Sequence, residues 1–311
     1  VKLNCLSIFP TNRCNCLCYY CAYQTNYAMA NSTSLCDKTH SLSRELMTKA
    51  LEEVVPFTNS LEISGGGEPL CHPDFPWLAK EIVRRNLGAK LITNGFLFKD
   101  AAAEAARELN MVEFSVNYYD HKSCAALRSV PEHMFDIVTN HMRHLVLSKP
   151  HCIPCAKVVL TRRNYATLPQ IKAYLASVGI TNLSITPSYG RTVDDIVPPE
   201  TFSPQRRAQS KPKCNWCQRK IDHPVIGADG GIYTCCYFAY VPSMKLGDLA
   251  SQSLAEVLQQ PRFDTELCAK VEQVIADYRQ GKITVFPDGK WSHAVGVEPT
   301  PPDTGVTFSG I

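Results

Sequence analysis

Three cysteines with short, unequal gaps stand near the start of the chain. They read Cys14-x3-Cys18-x2-Cys21 and lie in a loop just after the apolar run Leu6 to Phe9. Three thiolates this close can hold three irons of a cubane cluster and leave the fourth iron without a protein ligand. Iron–sulfur clusters are usually held by four Cys thiolates, so a set of three leaves a place for an outside ligand. Closely spaced cysteines also make disulfides in secreted chains and zinc sites, and Cys16 puts a fourth thiol in the same loop.

A second group lies far downstream. Cys214-x2-Cys217 precedes Ile226 to Cys236, in which Asp229-Gly230 between apolar runs is a hairpin signal. This places Cys235 on the return strand, with Cys268 just after a helix from Ser253 to Gln259. Neighbours on a strand point to opposite faces, so Cys235 and Cys236 should not share one metal, which argues against a zinc ribbon. Cys236 reads as a buried spare thiol or a hydrogen-atom donor. Cys152-x2-Cys155 has a metal-like spacing too, but falls on the loop entering a strand and is read as structural.

Composition narrows the class. The 311 residues are 45% hydrophobic and 20% charged, which suits a large globular domain with a smaller one attached. A net charge of +3 gives no case for nucleic acid or an anionic membrane. No run is long enough for a transmembrane helix, and no signal-peptide layout opens the sequence. Fifteen cysteines without a secretion signal point to metal or catalysis in a reducing cytoplasm, and their odd number prevents complete pairing.

The elements that must position these groups alternate. Helices are expected at Ser43 to Val55 (capped by Ser41 or Ser43, with Leu46, Ala50, Leu51 and Val54 inward), Pro76 to Leu87, Lys99 to Leu109, Pro131 to Leu147 with Pro131 in its first turn, and Tyr165 to Val178. Strands are expected at Leu61 to Ser64, Lys90 to Thr93, Met111 to Val116, Ala156 to Leu160 and Asn182 to Thr186. With the run before the cysteine loop, six βα units predict an α/β fold, a partial (β/α)6 TIM-like barrel. In such folds reactive groups gather at the carboxyl ends of the strands. The cysteine loop, Gly65 to Glu68, Thr93-Asn94 and Ser115 to Asn117 all fall there. Gln24 to His40 reads as a loop over that end. The expected division is 1–190 for the barrel, 191–212 for a Pro/Arg/Ser-rich linker, 213–270 for a small β-hairpin plus helix domain, and 271–311 for a C-terminal helix and tail.

The cysteine spacing, with aromatic Tyr20 just before the last thiol, resembles the signature of the radical S-adenosylmethionine (SAM) superfamily. The resemblance implies that the open iron of a [4Fe-4S] cluster on Cys14, Cys18 and Cys21 chelates SAM, and that electron transfer cleaves SAM to a 5′-deoxyadenosyl radical. Gly66-Gly67-Glu68-Pro69 is similar to the family's motif that receives SAM's amino group. Ser115 and Asn117 resemble its ribose contacts, although most relatives carry an acidic residue where this chain has Asn117. Asn94 belongs to the same cofactor-binding set. Arg128 is read either as a contact for the methionine carboxylate or as a solvated surface charge.

The second cysteine region resembles the SPASM/twitch extensions of that superfamily, with Gly230-x4-Cys235 fitting their hairpin element. This implies one auxiliary [4Fe-4S] cluster on Cys214, Cys217, Cys235 and Cys268, and an external electron donor such as flavodoxin or ferredoxin. Cys236, or Cys268 if it does not bind iron, is the expected hydrogen-atom donor. The cysteine loop starts at residue 14, which leaves no room ahead of it for a peptide leader-binding domain. The expected substrate is therefore a small polyhydroxylated molecule, aminoglycoside- or aminocyclitol-like, undergoing epimerisation or two-electron oxidation. Peptide modification is the alternative, a molybdopterin-type nucleotide cyclase is third, and a non-catalytic zinc or iron–sulfur protein is the rival from another class.

Overall fold

The computed structural model describes residues 2–18, 20, 21, 23, 36–148, 151–187, 223–236, 239–259 and the strands 283–285 and 291–293. Six strands run parallel: β1 (Leu6–Ile8), β2 (Ser60–Ile63), β3 (Gly88–Thr93), β4 (Met111–Ser115), β5 (Ile153–Leu160) and β6 (Asn182–Pro187). Helices α1 (Arg44–Val54), α2 (Phe75–Arg84), α3 (Asp100–Arg107), α4 (His121–Arg128), α5 (Met134–Leu147) and α6 (Leu168–Ser177) fall between them. The sheet is open, with β6 at one edge, and the partial barrel expected from the alternation is present. Among the described residues no helix is long and apolar enough to cross a membrane.

One core joins the helices to one face of the sheet. Leu61, Ile63, Leu91, Val112, Phe114, Ala156 and Val158 share it with Leu51, Leu78, Ala106 and Val138 of the helices. Because strand side chains alternate, the intervening positions face the other way. Helix α1 is capped by Ser43, whose Oγ accepts from Leu46 N at 3.3 Å. It buries Met47, Ala50, Leu51 and Val54, so Met47 takes the inward place expected for Leu46.

Beyond the barrel strands, β7 (Val225–Ile226) adds parallel to β1, and β8 (Gly231–Tyr233) and β9 (Lys245–Asp248) follow antiparallel. The hairpin is thus a continuation of the barrel sheet, in the order β6-β5-β4-β3-β2-β1-β7-β8-β9. Gly230 in its turn has φ +80°, the left-handed region that glycine enters without strain. Helix α7 (Leu254–Gln259) comes next, and β10 (Ile283–Val285) pairs antiparallel with β11 (Trp291–His293).

Three expectations need correcting. Helix α5 starts at Met134, so Pro131 lies in the turn ahead of it, where its carbonyl accepts from Met134 N. Strand β5 begins at Ile153, so Cys155 is inside the strand, opposite Glu113, rather than on the loop entering it. Strand β8 ends at Tyr233, which leaves Cys235 and Cys236 beyond it. The opposite-faces argument for that pair therefore does not hold.

Candidate functional site

The cysteine loop leaves the carboxyl end of β1 and is fastened to its neighbours from both sides. Thr11 bridges Ser41, and Asn12 N donates to His40 O at 3.0 Å. On the other side Glu68 N donates to Arg13 O at 2.8 Å. The glycine turn after β2 is pressed so close that a Cβ on Gly67 would stand 2.1 Å from Arg13 O. Close approach of two backbones, rather than of backbone to ligand alone, is what requires glycine here.

Glu68 is buried, and its carboxylate is a junction. Its Oε1 accepts from Thr93 Oγ1 at 2.6 Å and from Leu70 N at 3.2 Å, and its Oε2 accepts from Asn94 N at 2.7 Å. Burial pushes its pKa up, opposed by those hydrogen bonds. Asn94 in turn donates Nδ2 to Asn15 Oδ1 at 2.7 Å and to Cys16 Sγ at 3.4 Å. The turn after β2, the end of β3 and the cysteine loop are therefore one hydrogen-bonded unit.

The thiols differ in character. Cys16 lies buried between Cys14 and Cys18, and its hydrogen bonding with them raises its own pKa and lowers theirs. Cys18 is held at about 5 by that bond, against burial, with further help from the charge and hydrogen bond of Arg128. Burial pushes Cys21 up to about 12. Among the described residues no three His, Cys, Asp or Glu side chains close on one point as the ligands of a single ion do. A four-iron cluster makes no such demand, because each cysteine binds a different iron. A loop with two thiols already biased to thiolate, the form that binds metal, fits that group.

Arg128 and Asn117 sit differently from expectation. Arg128, at the end of α4, is only 5% exposed and is not a solvated charge. Its Nη1 donates to Cys18 Sγ at 3.4 Å, Nη2 donates to Ser115 O, and the guanidinium lies over the rings of Tyr20 and Tyr118. Asn117 is buried with its Oδ1 accepting from Val159 N at 2.7 Å, and Asn164 Nδ2 donates to its main-chain oxygen at 3.0 Å. It closes the end of the β4–β5 pair. Ser115, the last residue of β4, stays partly open beside it.

Sequence reasoning missed a second cluster that ties the loop to the hairpin. Phe9, Cys36, Val225, Tyr233, Ala239 and Tyr240 pack together, with Tyr23 and Cys236 against them. Tyr23 donates to Cys236 O, and Tyr240 donates to Asn12 Oδ1 at 2.6 Å. Asn12, which Tyr240 holds, lies two residues ahead of Cys14. Cys235 is buried and Cys236 partly so. Cys214, Cys217 and Cys268 lie outside the described residues.

The inner face of the sheet is polar. Lys90 Nζ pairs with Glu62 Oε2 at 2.7 Å and lies 3.7 Å from Glu113 Oε2, while Ser7 Oγ meets His223 Nε2 at 2.9 Å. Lys157 is on the same face and contributes to the field at Glu62. Burial would raise the Glu62 carboxyl, but the Lys90 pair outweighs it and holds it below its ordinary value. A closed barrel fills this space with branched apolar layers. Here charged and hydroxyl groups share it with Ile92 and Met111.

An open parallel barrel with three loop thiols at its carboxyl edge is the build of an iron–sulfur enzyme whose chemistry sits where the strands end. The chain carries a Radical SAM superfamily domain, whose family pattern matches residues 8–148, and a SPASM iron–sulfur cluster-binding domain over residues 214–283. It accordingly uses SAM, a SAM-binding [4Fe-4S] cluster and auxiliary iron–sulfur. The "Tungsten-containing aldehyde ferredoxin oxidoreductase cofactor-modifying protein" of Pyrococcus furiosus is 22% identical, over 81% of this chain and 80% of that protein. Streptococcus suis SuiB bound to precursor peptide SuiA matches with a TM-score of 0.66 at 15% identity, over 83% of this chain. The chain spans 65% of the length of that structure. BtrN in complex with AdoMet and 2-DOIA matches with a TM-score of 0.51 at 11% identity, over 90% of this chain and 92% of that one.

Proposed function

We propose that the protein abstracts a hydrogen atom from a small, polar, polyhydroxylated molecule and releases it oxidised by two electrons or epimerised at one carbon. The observation that carries the substrate class is the inner face of the sheet, where Ser7, Glu62, Lys90, Glu113 and Lys157 stand instead of a wholly apolar filling. An apolar ligand would cut these groups off from water without offering them hydrogen bonds, so one rich in hydroxyl and amino groups is preferred. The fold shared with BtrN, seen in complex with AdoMet and 2-DOIA, supports the same reading, and peptide modification is the alternative that the SuiB likeness keeps in view.

Cys14, Cys18 and Cys21 are proposed to hold the cluster, and Gly66, Gly67, Glu68, Asn94 and Ser115 to shape the SAM site. When bound, that cofactor pair supplies the adenosyl radical. The chain positions SAM and substrate and keeps water from the reacting carbon. Asn117 and Tyr20 support the site from behind. An auxiliary cluster on Cys214, Cys217, Cys235 and Cys268 is proposed to take the electron in the oxidative branch, and Cys236 to return a hydrogen atom in the other.

The test is anaerobic turnover of the reduced, reconstituted protein with SAM and two panels, aminocyclitols or aminoglycosides and short peptides. An accelerated release of 5′-deoxyadenosine with the first panel is expected. Acceleration by peptides alone would overturn the substrate class. In deuterium oxide, product two hydrogens lighter marks oxidation, and one deuterium at the reacting carbon marks epimerisation. Metal analysis belongs to the same preparation. About eight irons per chain are expected if both clusters have four, whereas stoichiometric zinc with about four irons would remove the auxiliary cluster.

A further inference from the structure

We propose that Arg128 sets the reduction potential of the SAM-binding cluster through a charged hydrogen bond to Cys18, independently of any contact with SAM. The inference rests on Cys18 being a ligand of that cluster, which iron content and SAM cleavage by the unaltered protein test separately.

The geometry is that of a cation placed for a sulfur. Arg128 is 5% exposed, and its Nη1 is 3.4 Å from Cys18 Sγ. Burying a guanidinium is expensive unless something of opposite sign or a set of acceptors meets it. Among the described residues no carboxylate forms an ion pair with Arg128. Its partners are the Ser115 carbonyl, the faces of Tyr20 and Tyr118 with ring centres 5.9 and 5.8 Å from Cζ, and Cys18. Of these partners, the one that would carry the charge of a cluster ligand is the sulfur.

The residue holds the loop twice. Its main-chain oxygen accepts from Leu17 N at 3.1 Å, so the backbone next to Cys18 is fixed to the same helix end that aims the side chain. The bond is therefore set by the fold before SAM arrives. Nε has no partner within the described residues, which leaves a separate donor on the same group for another ligand.

The consequence follows from charge. Reduction by one electron makes the cluster and its thiolates more negative by one unit. A fixed cation and an N–H···S bond favour the more negative state, and cluster potentials respond to net charge and to hydrogen bonds at sulfur. Arg128 therefore raises the potential and eases the reduction that must precede SAM cleavage. It acts through Cys18, as a positioning residue with an electrostatic effect.

The experiment is a redox titration followed by electron paramagnetic resonance on anaerobically reconstituted protein without SAM. Unaltered protein, Arg128→Gln and Arg128→Lys are compared, with iron content measured on each. Arg128→Gln is expected to disfavour the reduced cluster about tenfold, a fall of about 59 mV for one electron. Arg128→Lys, which keeps the charge but loses the planar fork, should fall by less. An unchanged SAM-free potential in Arg128→Gln at full iron content, with weakened SAM binding, would overturn the proposal and leave Arg128 a SAM contact alone. If Arg128→Gln does not load iron, Arg128→Lys decides, and the potential of the unaltered protein in that variant likewise overturns it.

Discussion

Glu68 shows how one side chain at this site serves structure before it serves a ligand. Three donors converge on its carboxylate, from Leu70 N, Thr93 Oγ1 and Asn94 N. Removing it leaves those donors buried and unsatisfied, at roughly 1–3 kcal/mol each before relaxation. Glu68→Ala is therefore expected to destabilise the protein by about 2–4 kcal/mol in anaerobic chemical denaturation, in addition to any loss of SAM affinity. An unchanged denaturation midpoint would show that the junction carries no net stability. Cys16 gives the opposite expectation. It is coupled by hydrogen bonding to Cys14 and Cys18 and accepts from Asn94, so its thiol is occupied as a hydrogen-bonding group. Cys16→Ala should keep its iron, whereas Cys14→Ala, Cys18→Ala and Cys21→Ala should each lose the SAM-binding cluster and with it 5′-deoxyadenosine formation. Loss of iron in Cys16→Ala would reassign the ligands.

At the scale of elements, α4 decides where Arg128 points. Its start is a capping box in which Asp120 Oδ1 accepts from Ser123 N at 2.7 Å and Ser123 Oγ accepts from Asp120 N at 3.1 Å. Asp120→Ala should cost about 1 kcal/mol of stability. At the other end Ser129 stands at φ +54°, a conformation that glycine enters more easily. Ser129→Gly should then hold or raise the melting temperature, and a clear fall would show that the Ser129 side chain matters in its own right. This helix is not among those expected from the sequence, because His121-Lys-Ser-Cys shows no apolar stripe. The barrel strands were legible because apolar and polar residues alternate along them, as in Gly88–Thr93. Strand β9 was not, since Lys245–Asp248 is half charged and its pairing with β8 supplies the order. That Cys14, Cys18 and Cys21 share one loop after β1 was legible from their spacing. The places of Asn117 and Arg128 were not, since their partners, Val159 and Cys18, lie 42 and 110 residues away.

For the whole molecule the telling feature is that one sheet runs through both the barrel and the hairpin. Ser7 N donates to Pro224 O at 3.0 Å and Phe9 N to Ile226 O at 2.9 Å, so β7 covers what would otherwise be the open edge of β1. Phe9 is buried by Val225, Tyr233, Ala239 and Tyr240, and Tyr240 also holds Asn12 at the foot of the cysteine loop. Farther round, Lys49 of α1 donates to Leu249 O at 2.8 Å, and Glu53 accepts from Leu254 N. A chain ending at residue 190 would lose all of these together. Exposing Phe9 alone forfeits about 1.5–3 kcal/mol, and an uncovered β1 offers a pairing edge to other chains. Set against a total stability of about 5–15 kcal/mol for a domain, those losses predict that the shortened chain aggregates and takes up little iron at the first site. Tyr240→Phe in the full chain isolates the local part of the effect. It keeps the ring, removes the bonds to Asn12 Oδ1 and from Ala228 N, and should lower cluster retention during anaerobic gel filtration without unfolding the protein. A soluble, monomeric 1–190 chain that loads its SAM-binding cluster as fully as the whole protein would show that the shared sheet is incidental to the site.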